Sequence, residues 1–184
     1  TGYYAGRKAA DAAAGYELGD YCAEDAEREQ QRLLAPLYVK DGMSWKELNK
    51  AIAKAMQNYC GGVKCDALLT EGLDLLKRYE RDIVPMLSAK NPHELMRIHE
   101  VLDILTVAEM VLYSSLARKS SSVPLSFERS DYPETDPERD RCHIAISMQD
   151  GEVRERRVPL DFFGDLKEEY EKHNQDYIKE VGQV

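Results

Sequence analysis

No run of about 18 apolar residues occurs in this chain, so no membrane-spanning helix is expected. Basic clusters are equally scarce. Asp and Glu outnumber Lys and Arg by 34 to 25, which leaves a net charge of -9. Such a surface repels phosphate backbones, so nucleic-acid binding would need a local basic patch. The densest basic run, Arg154-Glu155-Arg156-Arg157, is broken by a glutamate. Cysteine is sparse, at positions 22, 60, 65 and 142. Cys60 and Cys65 have no second cysteine or histidine pair at zinc-site spacing, so reduced thiols and a cytoplasmic location are expected. No signal-peptide pattern is visible. The opening stretch TGYYAG has no initiator-like feature, and a segment of a longer protein is expected.

The motifs of self-contained catalysis are also missing. No G-x-G-x-x-G, G-x-x-x-x-G-K-[ST] or G-x-S-x-G occurs. The four histidines, His93, His99, His143 and His173, are scattered. Three positions after Glu94 stands Arg97, so no Glu-x-x-His pair of the di-iron kind is formed. We therefore assign no catalytic, cofactor-binding or metal-binding residue in this chain.

What is present is helical periodicity. Residues 4–15 are alanine-rich and stop at Gly15. Residues 20–38 form a second helix, with Asp20 as candidate cap and Leu33, Leu34 and Leu37 as its buried stripe. Residues 44–60 open on a capping box, Ser44 with Glu47, and place Leu48, Ile52, Met56 and Tyr59 on one face. Residues 65–87 carry Leu68, Leu69, Leu73, Leu76, Tyr79 and Ile83. The longest helix, 91–118, starts with Asn91-Pro92 and a glutamate at position 94. Its stripe is Ile98, Val101, Leu102, Leu105, Ala108, Leu112 and Leu116. Ile104, Val107, Met110 and Val111 make it apolar on the far side as well, so it should run through the centre of the bundle.

The pattern then breaks. Residues 120–140 contain Pro124, Pro133 and Pro137 and cannot form regular helix. Cys142, Ile144, Ile146 and Met148 follow at period two, Asp150-Gly151 signals a tight turn, and 153–158 returns as a partner strand. A charged helix, 165–180, ends the chain. The expected fold is mainly α, a bundle of about five to six helices with a C-terminal β-hairpin.

The order of these segments resembles the C-terminal region of the flavoprotein subunits related to succinate dehydrogenase, fumarate reductase, L-aspartate oxidase and adenylylsulfate reductase. Four stretches carry it: GYYAGRKAA, SWKELNKAIAKAMQNYCGGVKCDALLTEGLDLL, FERSDYPETD, and the hairpin HIAISMQDGEVRERRVPL. The third resembles the family's Arg-x-Asp-Tyr-Pro-Glu-x-Asp turn. The Glu-Ser-Arg-Gly-x-His stretch of the dehydrogenase and oxidase branches is absent, which favours a fumarate-reductase-like or adenylylsulfate-reductase-like parent.

The resemblance implies three regions. Residues 1–17 would be the last helix of a missing FAD-binding domain, 18–120 the helical bundle, and 121–184 the turn, hairpin and terminal helix packed on it. It implies FAD in the full-length parent and none here. The parent would act on a small anionic substrate, and its partners would be the missing domain and an iron–sulfur subunit. Arg118, Arg129, Asp131 and Tyr132 are the expected docking residues. The helix at 4–15, without the domain it should pack on, could pair with a second copy. The alternative is a stand-alone helical interaction module.

Overall fold

The computed structural model describes residues 2–17, 19, 22–135, 142–159 and 164–181. The chain divides into two compact units, Thr1–Ala35 and Pro36–Val184.

The first unit holds helices α1 (Gly2–Ala14) and α2 (Ala23–Leu34). Neither buries a residue. The expected leucine stripe of the second helix is thus corrected: Leu33 and Leu37 are exposed and Leu34 is only half-buried. A 3-10 turn, Ala35–Leu37, follows, and Pro36 within it is buried. Asp20 lies outside the described residues; α2 begins after Cys22, which makes no side-chain cap.

The second unit is built on three helices: α3 (Trp45–Tyr59), α4 (Asp66–Arg78) and α5 (Pro92–Ala117). The start of α3 closes the capping box read from sequence, with Ser44 N–H donating to Glu47 Oε2 at 2.8 Å. Asn91 caps α5, accepting from Glu94 N at 2.9 Å, and Pro92 takes the first position, where no N–H is needed. The core is Leu48, Ile52 and Ala55 from α3, Leu69, Leu73 and Leu76 from α4, and Ile98, Val101, Leu105, Ala108 and Leu112 from α5. Gly72 lets α3 and α4 meet: a Cβ there would lie 2.6 Å from Tyr59 Cβ.

Three expectations are corrected. The helix at 65–87 is not continuous. It passes from α4 into a π-turn, Tyr79–Ile83, and a 3-10 turn, Val84–Met86, because Pro85 has no N–H to extend an α-helical ladder. Leu68 points outward, one position out of phase with Leu69. The far side of α5 is not filled: Ile104, Val107, Met110 and Val111 are all more than 40% exposed. α5 packs on α3 and α4 along one side, and two helices cannot enclose it.

Two very short strands, β1 (Val63–Lys64) and β2 (Glu128–Arg129), pair in parallel and draw the segment after α5 back to the start of α4. At two residues each they carry no periodicity that sequence could show. The hairpin is as expected: β3 (Cys142–Gln149) pairs antiparallel with β4 (Glu152–Pro159). Asp150 and Gly151 both have positive φ, 52° and 76°, as a tight two-residue turn of matching twist requires. A 3-10 turn, Gly164–Leu166, leads into α6 (Lys167–Val181), where Tyr170 is exposed. The side chain of Tyr177 lies outside the described residues. No helix among the described residues is long and apolar enough to cross a membrane.

Candidate functional site

The segment after α5 folds back because two helix ends need partners. The last carbonyls of α5 and the first N–H groups of α4 have none within their own helices. Cys65, before α4, offers no side-chain cap. The DYPE turn supplies both needs.

Arg129 is the centre. It is fully buried. Its Nη1 donates to the carbonyls of Ser115 at 2.7 Å and Arg118 at 3.0 Å, at the negative end of α5. Its Nε and Nη2 grip Asp131, at 2.8 Å to each carboxylate oxygen. Nη2 also reaches Asp66 Oδ1 at 2.5 Å. A guanidinium has five N–H donors, and these five contacts use its donor capacity within the chain. Asp131 Oδ2 in turn accepts from Asp66 N at 2.7 Å, capping α4 from 65 residues away. One arginine–carboxylate pair thus ties the negative end of one helix to the positive end of another.

Tyr132 closes the clasp. Its ring lies 4.9 Å from the Arg129 guanidinium and 5.6 Å from Lys119 Nζ, and its hydroxyl donates to Asp66 Oδ2 at 3.4 Å. Pro133 disfavours the helical region for the Tyr132 backbone. Ser121 Oγ accepts from Arg129 N at 2.9 Å and donates to Tyr132 O at 2.9 Å. Arg118 is half-buried beside Phe127, 5.9 Å from its ring centre, and Lys64 Nζ lies 5.0 Å from that centre. The hydrogen bond from Arg129 holds the Asp131 carboxyl well below the usual carboxylate range, and the backbone N–H of Asp66 adds to this. Bonding to Asp131, and after it to Asp66, pushes the Arg129 guanidinium higher still, so the pair stays ionised.

Beside the clasp lies a cleft of about 600 Å³, lined by Val63, Ser122, Val123, Phe127 and Pro133 among others. Among the described residues no group of three or more His, Cys, Asp and Glu side chains could hold a metal ion. Cys60 and Cys65 are half-buried thiols, not a disulfide.

The structure brings Arg129, Asp131 and Tyr132 into one cluster and sets Arg118 at its edge. Sequence reasoning missed Asp66, Ser115 and Ser121. Asp66 carried a signal, as an acidic residue in the first turn of a helix whose preceding residue is a poor cap. The carbonyl of Ser115 and the hydroxyl of Ser121 carried none.

The architecture is thus a helical bundle whose ends are tied by an Arg-x-Asp-Tyr-Pro-Glu turn and which a hairpin follows. The family model described as "Fumarate reductase flavoprotein C-term" matches residues 49–175, and the chain belongs to that family. Comparison with curated protein sequences finds no match. Solved structures share the fold. An adenosine-5-phosphosulfate reductase in complex with sulfite aligns at TM-score 0.71 and 21% identity, over 77% of this chain and 25% of that one. An E. coli quinol fumarate reductase chain aligns at 0.69 and 23%, over 84% and 28%. A Mycobacterium smegmatis Sdh1 complex chain aligns at 0.63 and 23%, over 82% and 26%. The chain therefore spans about a quarter of the length of the solved chains it matches.

Proposed function

We propose that this chain is the scaffold and docking region of an FAD-dependent reductase. The observation that carries this reading is the family match over residues 49–175, together with a clasp whose polar groups are spent on holding two helices. The parent would reduce a small anionic substrate through flavin bound by a preceding domain, with electrons supplied by an iron–sulfur subunit. In this reading α1 is the last helix of that domain, which accounts for its lack of any buried residue. Arg118, Arg129, Asp131 and Tyr132 form the docking region. Arg118 and Tyr132 make the contact, while Arg129 and Asp131 hold the turn that presents them.

The test is the reading frame upstream of Thr1. A strand followed by G-x-G-x-x-G in that frame supports the reductase; an initiator Met directly before Thr1 overturns it. The isolated chain is expected to bind no FAD, and a yellow preparation with flavin absorbance would contradict that. The compact core of Pro36–Val184 favours a second reading, a self-standing interaction module. The same upstream sequence decides between them. If α1 lacks its natural support, pairing of two copies through residues 4–15 is a further expectation, which light scattering checks.

A further inference from the structure

The two strands of the hairpin guard their edges differently. β4 reads EVRERRVP: five of its eight residues are charged and it ends in proline, the usual protection of an edge strand. β3 reads CHIAISMQ, with no Lys, Arg, Asp, Glu or Pro across eight residues. Among the described residues β4 is the one strand paired with β3. The register puts Cys142, Ile144, Ile146 and Met148 on one face, opposite Pro159, Arg157, Glu155 and Val153. That face meets the end of α5, where Arg157 Nη2 donates to Ala117 O at 3.2 Å. Further along it, Met148 is 68% exposed. A two-stranded sheet is marginal in water without more strands or cover.

We propose that β3 pairs antiparallel with β3 of a second copy of this chain, forming a four-stranded sheet in the order β4-β3-β3-β4. Strands facing each other across a two-fold axis keep one face continuous only if residues of the same parity oppose each other. An axis at Ile146 sets Ile144 opposite Met148 of the other copy, and Ile146 opposite itself. That joins the apolar side chains of both copies into one ladder and covers Met148. No charge meets a like charge along this edge, whereas pairing β4 with itself would align arginines and glutamates. The proposal is independent of the flavoprotein reading.

The experiment is light scattering of the whole chain over about two decades of concentration, with hydrogen exchange on the same samples. The expected result is a concentration-dependent dimer. Exchange in the peptide covering 142–149 should slow as the dimer forms, and that in 152–159 should not. Ser147→Lys puts a charge on the edge strand at an exposed position, on the face away from the ladder, and should weaken association roughly tenfold or more without moving the Tm of the bundle. Ala9→Glu on α1 should leave the slowing of exchange in 142–149 unchanged. A monomer at every concentration overturns the proposal. So does a dimer that Ser147→Lys leaves at full strength, or one that leaves exchange in 142–149 untouched.

Discussion

Replacing Arg129 by methionine should cost stability well beyond an ordinary surface change. The side chain is fully buried, so methionine fills similar volume and little is lost in packing. What is lost is polar. The carbonyls of Ser115 and Arg118 lose a charged donor, and Asp66 and Asp131 lose their cation. Breaking a fully buried ion pair from one side costs about 3–5 kcal/mol. Here the Asp66 and Asp131 side chains keep 41% and 29% of their surface exposed, so water recovers part of that. The expected loss is about 2–4 kcal/mol. For a chain of this size that is roughly 5–15 °C in Tm. Urea unfolding followed by far-UV circular dichroism measures it as a fall in midpoint at constant slope. Arg129→Lys keeps the charge but has at most three donors, so it should recover only part of the loss. A methionine variant within about 0.5 kcal/mol of the parent chain, or a lysine variant equal to it, would refute the clasp.

Asp131 titrates below its ordinary value because Arg129 and the Asp66 N–H hold the ionised form. A depressed carboxyl contributes stability that is whole above the unfolded value and drains away as pH falls through the folded one. The stability gap between the parent chain and Asp131→Asn should therefore shrink steadily from about pH 5 downward in denaturant titrations. Glu109 has the opposite sign. Its Oε1 is buried with no hydrogen-bond partner among the described residues, and burial, then Glu80, raises its carboxyl above the usual range. Its favourable contribution is present at low pH and lost as pH rises through the raised value. Glu109→Gln should gain on the parent chain as pH rises above about 4, and a constant difference would contradict this. Gly72→Ala gains up to about 1 kcal/mol of helix propensity but drives a methyl into Tyr59, so a net loss of roughly 1–2 kcal/mol is expected by thermal melt. Ser44→Ala opens the capping box and should cost about 1 kcal/mol.

Much of the fold could be read from local pattern. The helices at 44–60 and 91–118 announced themselves by cap and stripe, and the hairpin by alternation around Asp150-Gly151. These features depend on neighbours within one turn or one strand pair. Leu33, Leu37 and Leu68 were misread because a stripe tells only that a face is apolar, not that a partner covers it. Ile104, Val107, Met110 and Val111 failed for the same reason: an all-round apolar helix needs neighbours on every side, and α5 has them on one. The π-turn at Tyr79–Ile83 depended on how the chain accommodates Pro85, which periodicity does not encode. At the site, Arg118, Arg129, Asp131 and Tyr132 were expected from the resemblance of FERSDYPETD to the family's turn. That Arg129 and Asp131 face inward was not legible, because the groups they satisfy belong to helix ends 14 and 63–65 residues away.

That inward turn bears on how docking must be assayed. A guanidinium with every donor committed cannot also bind a partner without releasing a helix end. Changes at Arg129 or Asp131 would therefore alter assembly with the proposed preceding domain by loosening the turn, and would lower Tm in step with affinity. Arg118 and Tyr132 lie at the rim, where a side chain can be trimmed with its backbone bonds intact. Arg118→Ala still leaves its carbonyl to Arg129. Tyr132→Phe removes only a long hydroxyl contact of 3.4 Å to Asp66 and keeps the ring against the guanidinium. Rim variants should therefore weaken docking with little change in Tm, while clasp variants should move both together. If Arg118→Ala left assembly untouched while Arg129→Lys impaired it at unchanged stability, the contact would run through the clasp itself and the division of labour proposed here would fall.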